Sequence, residues 1–213
     1  MPTTVYLIRH GESLGNVRRI FLGHTDWDLT ELGHRQAACT AEIFRDIPVD
    51  AILSSDLLRA CHTASPIAAQ KNLPIETDRG FREIFAGQWE GREFSDLEVR
   101  FAQDYTVWKT DIGRSHPTGG ETVLQLHERV HDALLRAVRK HEGQTIVIAT
   151  HATPIRVLLT GFSGRPIEDA AATPWVSNAS VTKLEYENGE FRIAYSDRHD
   201  HLGDLSTRLP ANV

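Results

Sequence analysis

The sequence predicts an α/β fold in which helices pack on a largely parallel sheet. Short apolar runs with the length of buried strands alternate with longer segments of helical periodicity. The clearest example joins an amphipathic stripe over about 121–141 to an apolar run over 145–149. Near the end of the chain, Asn188-Gly189 separates two β-rich runs and predicts a hairpin.

The first half of the chain is predicted to hold three short strands and two helices. The strands cover residues 5–8, 51–53 and 75–77, and the helices cover about 31–45 and 56–70. Thr30 is a suitable N-cap for the first helix, and Ser54 or Ser55 can cap the second. Pro66 lies inside the second helix and predicts a kink or an early end near Ser65.

The second half begins with residues 84–120, which are rich in glycine and aromatic residues. We expect a lid or insertion there, with a small helix over about 95–109. The later elements are a helix over about 121–141, a strand over 145–149, a helix over about 154–160, and hairpin strands over 181–187 and 191–195. The tail from Ser196 is expected to be irregular. No repeat or linker interrupts this order, so a single domain over residues 1–213 is predicted.

Composition limits the classes of function. The formal net charge of -6 argues against a nucleic-acid partner, which usually requires a basic surface. No stretch approaches the ~18 apolar residues of a membrane span, and the N-terminus does not resemble a signal peptide, so a cytoplasmic location is expected. Cys39 and Cys61 are interpreted as small packing residues. The oligomeric state stays open between a monomer and a homodimer.

Three polar clusters follow three predicted strands. Arg9 and His10 follow the first strand, Arg59 lies in the first turn of the helix after the second, and His151 follows the strand 145–149. Ligands of open α/β sheets bind just beyond the carboxyl ends of the strands. If these strands are parallel neighbours, the four side chains meet in one crevice.

Two guanidinium groups and two imidazoles in one crevice suit a phosphoryl group, since guanidinium presents paired donors to phosphate oxygens. A helix N-terminus near Asp56 could add backbone N–H groups. Each residue alone also has an ordinary interpretation: Arg9-His10 as a surface turn, Arg59 as a solvated helix residue and His151 as a hydrogen-bonded core histidine. The prediction therefore depends on the three strand ends coinciding.

The chain resembles the histidine phosphatase superfamily, also called the phosphoglycerate mutase-like family, and within it the phosphatase branch. The likeness covers about residues 5–160, and its order and spacing are more specific than the Arg-His-Gly motif alone. The residues that carry it are Leu7-Ile8-Arg9-His10-Gly11-Glu12-Ser13 with Asn16, Ser54-Ser55-Asp56-Leu57-Leu58-Arg59-Ala60 with Thr63-Ala64, Glu83 with Gly87-Gln88-Trp89-Glu90-Gly91, Gly119-Gly120-Glu121, and Thr150-His151. The resemblance implies a three-layer α/β/α architecture with a mostly parallel central sheet.

The resemblance also implies roles for individual residues. His10 is expected to take the phosphoryl group, and Glu83 to act as the proton donor. Arg9, Arg59 and His151 are expected to bind phosphate oxygens. Asn16, Gly23 and Ala152 are assigned to substrate binding. Ala152 departs from the family, which usually has glycine there, so a methyl group narrows the pocket without removing a reacting group. No cofactor and no metal are expected.

The expected activity is hydrolysis of a small phosphorylated metabolite through a phosphohistidine, and three other classes stay open. A mutase of the phosphoglycerate type needs a second phosphate site, for which residues 84–120 offer Arg92, Arg100, Lys109 and Arg114 but no adjacent arginine pair. A metal hydrolase could use His199-Asp200-His201, and loss of activity on chelation would favour it. A non-catalytic phosphate-binding module is the third class. Trp89, Phe94 and Trp108 favour a substrate with an apolar or sugar-like part, or are ordinary packing.

Overall fold

The computed structural model describes residues 1–207, and a six-stranded sheet forms its centre. The strands are β1 (Thr3–Arg9), β2 (Ile20–Phe21), β3 (Ala51–Ser54), β4 (Ile75–Thr77), β5 (Arg92–Glu93), β6 (Thr145–Thr150), β7 (Val181–Glu187) and β8 (Glu190–Arg198). The α-helices are α1 (Leu14–Arg18), α2 (Glu31–Ile43), α3 (Leu58–Lys71), α4 (Phe94–Arg100), α5 (Ala102–Thr110), α6 (Val123–Lys140) and α7 (Ala152–Phe162). No helix within this range is both long and apolar enough to cross a bilayer.

The strand order of the sheet is β4-β3-β6-β1-β7-β8. The pairs β4–β3, β3–β6 and β6–β1 are parallel, whereas β7 is antiparallel to both β1 and β8. The predicted α/β class, the largely parallel sheet and the terminal hairpin are therefore confirmed. The short strands β2 and β5 pair with each other outside this sheet.

Alternate residues of the central strands enter cores on opposite faces of the sheet, because side chains of a strand alternate in direction. Val5 and Leu7 pack with the apolar residues of α6 and α7, whereas Tyr6 and Ile8 pack with those of α2 and α3. Helices thus cover both faces, as the three-layer α/β/α prediction requires. A strand buried on both faces also explains the continuous apolar runs in the sequence.

The prediction for the start of α3 was wrong. The helix begins at Leu58, its N-cap residue Leu57 makes no side-chain cap, and neither Ser54 nor Ser55 fills that role. Instead the Asp26 carboxylate, brought in from a distant loop, accepts from the Leu58 backbone N–H at 2.8 Å. This N–H group is therefore already occupied and is not a free donor for a phosphate near Asp56.

Two expectations about irregular structure were also wrong. Helix α3 continues through Pro66 to Lys71 instead of ending near Ser65, and Ile67 and Ala68 beyond the proline are buried against the sheet. The part of the tail over residues 196–205 is not irregular either, because β8 runs on to Arg198 and a 3₁₀ helix covers Asp200–Leu205; residues 208–213 of the tail lie outside the described residues. Buried Leu202 anchors this last helix.

Residues 84–120 form a cap of short helices, α4 and α5, whereas a single helix over 95–109 was predicted. Phe101 lies outside helical geometry and separates the two helices. Apart from exposed Phe85, the aromatic residues of the cap pack into or against the core on the α6 side, and Trp89 and Leu97 are fully buried. The ordinary packing interpretation of Trp89 is therefore the correct one.

Helix α6 starts with a capping box. The Thr122 hydroxyl accepts from the Gln125 backbone N–H, and the Gln125 side chain accepts from the Thr122 N–H. Backbone N–H groups at the start of α6 thereby gain hydrogen-bond partners, at the point where the chain leaves residues 84–120. The helix then buries Val123, Leu126, Val130 and Leu134 with the spacing that the sequence predicted.

We expect Thr122→Ala to lower the free energy of unfolding by about 1 kcal/mol, because the N-terminal N–H groups of α6 lose their cap. The Tm should fall by ~2–4 °C for a chain of this size. Thr110→Ala is the matched control, since that exposed hydroxyl bonds only to the backbone of its own helix. An equal Tm for Thr122→Ala and the wild type would show that the capping box of α6 contributes nothing to stability.

Candidate active site

The ends of three neighbouring strands bring the predicted residues together. Strands β3, β6 and β1 are adjacent and parallel, so their carboxyl ends lie at one edge of the sheet. Arg9 ends β1, His151 follows β6, and Arg59 lies in the first turn of the helix after β3. A cavity at this edge is lined by Arg9, His10, Ser13, Asn16, Ile20, Phe21, Leu22, Gly23, Arg59, Glu83, Phe94, Tyr105, Trp108, Ala152, Thr153 and Trp175.

His10 lies at the base of this cavity with its ring held in one orientation. Its Nδ1 is 2.7 Å from the Gly11 carbonyl oxygen, which can only accept, so Nδ1 carries the hydrogen. The Nε2 lone pair is therefore available to a ligand. Burial, followed by the charges of Arg59 and Arg9, holds the pKa of His10 well below its ordinary value. The ring is neutral near pH 7, which a nucleophile requires.

Two buried guanidinium groups flank His10. Arg59 donates to the carbonyl oxygens of Gly23 at 2.7 Å and Thr25 at 2.9 Å. Arg9 donates to the Val176 carbonyl oxygen at 2.6 Å. Burial lowers the pKa of each group to about 10, so both remain charged near neutral pH. Each guanidinium has five N–H groups, so these bonds leave further donors for an anion in the cavity.

His151 is fully buried and does not itself line the cavity, but its ring lies against His10 with the centroids 5.2 Å apart. Its Nε2 is 2.9 Å from the Ser55 hydroxyl, which accepts from the Leu57 N–H at 3.4 Å. The Ser55 hydrogen is thus directed to Nε2, and we assign the ring hydrogen to Nδ1. Burial and then Arg59 hold the pKa of His151 well below its ordinary value.

Glu83 lies beside the start of α7 and lines the same cavity. Its carboxylate accepts from the Ile84 N–H at 2.8 Å and from the Thr153 N–H at 3.3 Å. Burial outweighs these bonds and raises the pKa of Glu83 above its ordinary value. Glu83 is not paired with the neighbouring Arg82, whose Nε and Nη2 each donate to Asp56 at 2.6 Å, or with Arg79, which also pairs with Asp56.

The three residues assigned to substrate binding all line the cavity. Gly23 has φ +51°, and a Cβ there would lie 2.2 Å from a Glu90 carboxylate oxygen, so the turn requires glycine. Asn16 accepts from the Ser13 N–H at 3.0 Å and thereby closes the capping box of α1. Ala152 is the first residue of α7, so its methyl group stands beside the catalytic edge of the sheet.

Sequence reasoning did not assign roles to several residues that hold the site in place. The Glu90 carboxylate accepts from the backbone N–H groups of His24, Thr25 and Ala86, which fixes the loop that binds Arg59. Glu90 belongs to one of the motifs that carry the family resemblance, so its position was the available signal. The Asn178 amide donates to the His10 carbonyl oxygen at 3.1 Å, a contact across 168 residues that spacing cannot predict.

Aromatic side chains form a further part of the cavity wall. Phe94, Tyr105 and Trp108 come from the cap, Phe21 comes from β2, and Trp175 comes from the chain after α7. Phe21 contacts Trp108 edge to face with centroids 5.0 Å apart, and Trp108 lies 6.3 Å from Trp175. Phe94 and Trp108 therefore combine packing with exposure to the cavity.

The histidines of the C-terminal segment form hydrogen bonds within the fold. His201 Nε2 lies 3.0 Å from the Thr40 hydroxyl, and His199 Nδ1 lies 2.7 Å from the Asp197 carbonyl oxygen. Within residues 1–207, His199, Asp200 and His201 are not gathered into a three-donor cluster. The geometry of the described residues therefore does not favour the metal interpretation of this motif, because local folding directs the donors elsewhere.

Several known proteins are similar to this chain in sequence or in fold. The curated "Adenosylcobalamin/alpha-ribazole phosphatase" of Escherichia coli is 31% identical over 164 residues, which cover 77% of this chain and 81% of that protein. "Phosphoserine phosphatase 1" of Hydrogenobacter thermophilus is 31% identical and covers 93% and 94% of the two chains. The solved structure of YhfR from Bacillus stearothermophilus superimposes with a TM-score of 0.90 at 30% identity, covering 94% of this chain and 99% of that one.

The sequence model of one protein family matches residues 5–197, a range that includes every residue of the site. The two curated relatives are phosphatases, and the structural neighbour shares the architecture over almost its whole length. This chain belongs to the histidine phosphatase superfamily, branch 1.

Proposed function

We propose that this protein is a metal-independent phosphomonoesterase that hydrolyses a small phosphorylated metabolite through a phosphohistidine on His10. One observation supports this most strongly. A neutral imidazole presents its unprotonated Nε2 to a cavity that two buried guanidinium groups and one carboxyl of raised pKa also line. These are the nucleophile, the oxyanion donors and the acid that phosphoryl transfer needs.

In the first step, His10 Nε2 attacks phosphorus in line with the ester oxygen. The P–O bond to the alcohol breaks as the P–N bond forms, and protonated Glu83 donates its proton to the departing oxygen. Arg9 and Arg59 stabilise the charge on the equatorial oxygens. His151 contributes through its Nδ1, which has no hydrogen-bond partner within residues 1–207 and gains one from a phosphate oxygen.

In the second step, Glu83 is a carboxylate and takes a proton from water. The water oxygen attacks phosphorus, the P–N bond breaks, and neutral His10 and inorganic phosphate are released. Glu83 regains the proton that it lost to the alcohol, so the cycle balances without another reactant. The raised pKa of Glu83 suits a group that must alternate between both protonation states near pH 7.

The charges of the cap favour hydrolysis over mutase activity. The four cationic side chains of the cap that could hold a second phosphate are each paired with an acid, in the ion pairs Arg92–Asp96, Arg100–Asp96, Lys109–Glu98 and Arg114–Asp111. None of the four lines the cavity. Its cationic lining residues are Arg9 and Arg59, which a single phosphoryl group engages.

The apolar wall supports a substrate whose alcohol part is uncharged and flat or apolar. Phe94, Tyr105, Trp108 and Trp175 present ring surface to the cavity that holds the phosphate donors. A carboxylate or a second phosphate would lose its hydration there without a partner. Of the two phosphatases compared above, the one named for alpha-ribazole acts on an ester that fits this description better than phosphoserine does.

A panel of esters assayed with chelator-treated protein tests the proposal. We expect turnover with EDTA present, and higher kcat/KM for naphthyl phosphate than for phosphoserine or 3-phosphoglycerate. Loss of turnover on chelation, with recovery on adding metal, would favour the metal hydrolase alternative. Inactivity toward every phosphoester would favour a binding module, and isomerisation of phosphoglycerates without phosphate release would favour a mutase.

His10→Ala should be essentially inactive on all esters, because no other group in the site can take the phosphoryl group. The loss should exceed the ~10²–10⁴-fold that general acid catalysis typically provides. His141→Ala, at a half-buried position where α6 ends and outside the cavity, is the matched control and should keep full activity. Turnover of His10→Ala near the wild-type rate would contradict the covalent route.

Glu83→Gln should remove the alkaline limb of the pH profile. Because the acid must be protonated, kcat/KM falls as the pH rises through the Glu83 pKa, which burial places above the ordinary value. The acidic limb follows His10, whose lowered pKa keeps the ring neutral well below pH 6.5. We expect a ~10²–10⁴-fold loss on alkyl esters and a smaller loss on nitrophenyl phosphate. An unchanged profile would exclude Glu83 as the acid.

Ser55→Ala should lower kcat/KM by on the order of tenfold, because the His151 ring loses the bond that holds its hydrogen on Nδ1. Ser54→Ala is a matched control at the adjacent buried position, where the hydroxyl bonds to the Ser55 carbonyl oxygen instead. Equal activity of both variants would show that Ser55 does not orient His151.

A further inference from the structure

Three metal-binding side chains lie together outside the proposed active site, on separate elements. Asp28 belongs to the loop before α2, His34 lies in the first turns of α2, and His62 lies in α3. Their ligand atoms all lie within 4.8 Å of one another. Asp28 and His62 are half-buried, and His34 is exposed. None of the three takes part in the proposed phosphoryl-transfer mechanism.

The geometry of this cluster is already close to that of a metal site. Asp28 Oδ1 is 2.6 Å from His62 Nδ1, and the rings of His34 and His62 lie 5.7 Å apart and tilted by 37°. Zinc ligands at about 2.0–2.2 Å from the ion are roughly 3.3–3.5 Å from one another in a tetrahedron. Small rotations of partly exposed side chains bring the three donors to that separation.

We infer that Asp28, His34 and His62 form a surface site for Zn²⁺ or a chemically similar transition metal ion. Two imidazoles and one carboxylate suit zinc, copper or nickel, whereas magnesium and calcium prefer oxygen donors. A water molecule completes four-coordination. When the ion binds, the neutral His62 ring carries its hydrogen on Nε2, and the ion replaces the Nδ1–H bond to Asp28.

The Asp28 carboxylate is prepared for this role. The Leu29 backbone N–H donates to its Oδ1 at 2.6 Å and orients the group. The carboxylate is thereby fixed in the position from which it contacts His62 Nδ1 at 2.6 Å.

The site has a structural consequence for the phosphate pocket. The chain before Asp28 supplies the carbonyl oxygens of Gly23 and Thr25 to Arg59, and His62 lies one turn after Arg59 on α3. A bound ion would tie this loop to both α2 and α3. Its role is to hold the loop in place, so it is separate from the metal-independent chemistry of the proposed function.

Isothermal titration of metal-free protein with Zn²⁺, together with Co²⁺ absorption spectra, tests the site. We expect one equivalent to bind, a rise in Tm, and a visible Co²⁺ spectrum of low coordination number. Asp28→Asn and His34→Ala should each weaken binding by ~10–100-fold or more, since even supporting residues have effects of that size. Both substitutions are conservative for folding, because Asn keeps the shape of Asp28 and His34 is exposed.

The matched control is His131→Ala on α6. His127 and His131 are a second histidine pair, with ring centroids 5.6 Å apart, and within residues 1–207 no third ligand joins them. The control should bind Zn²⁺ like the wild type. Wild-type binding by Asp28→Asn and His34→Ala, or loss of binding only in His131→Ala, would overturn the assignment. Neither result depends on phosphatase activity.

Discussion

The site depends on the burial of two guanidinium groups beside two imidazoles at the tips of parallel strands. Taking charge out of water is costly unless hydrogen bonds compensate it, and backbone carbonyl oxygens of surrounding loops provide that compensation for Arg9 and Arg59. The positive field that remains, together with burial, keeps His10 and His151 neutral. In the proposed mechanism a phosphate dianion restores the charge balance, so affinity for phosphate and nucleophilicity of His10 have a common cause.

The same field explains how an acidic chain can serve an anionic substrate. The net charge of -6 comes from acidic residues that lie mostly outside the cavity, whereas Arg9 and Arg59 are its cationic lining residues. Glu83 is an acidic residue that does line the cavity, and burial rather than a charged partner raises its pKa. The aromatic wall then lowers the local polarity around the reacting groups. In the proposal, the strand ends position the phosphate. The cap of residues 84–120 limits the shape and polarity of the rest of the substrate.

Chain direction and hydrophobic periodicity made a largely parallel sheet predictable from the sequence, whereas the adjacency of the three strands at the site entered only as a condition. Parallel strands bring their carboxyl ends to one edge, so the meeting of His10, Arg59 and His151 could be predicted without side-chain detail. Local pattern could not predict that Asp26 rather than Ser55 serves the start of α3, because that choice depends on a loop 32 residues away. Ser55 is thereby available to His151. The C-terminal 3₁₀ helix was missed for a similar reason, since long-range contacts rather than local pattern stabilise it.

The central claim is that the phosphoryl group is transferred to His10, and rapid-quench labelling of Glu83→Gln tests it most directly. A nitrophenyl ester needs little protonation, so the first step should proceed in this variant while the loss of the base slows hydrolysis. We predict that label accumulates toward one equivalent, is acid-labile and maps to the peptide that contains His10. Release of phosphate over several turnovers without protein-bound label, or label on another residue, would contradict the account.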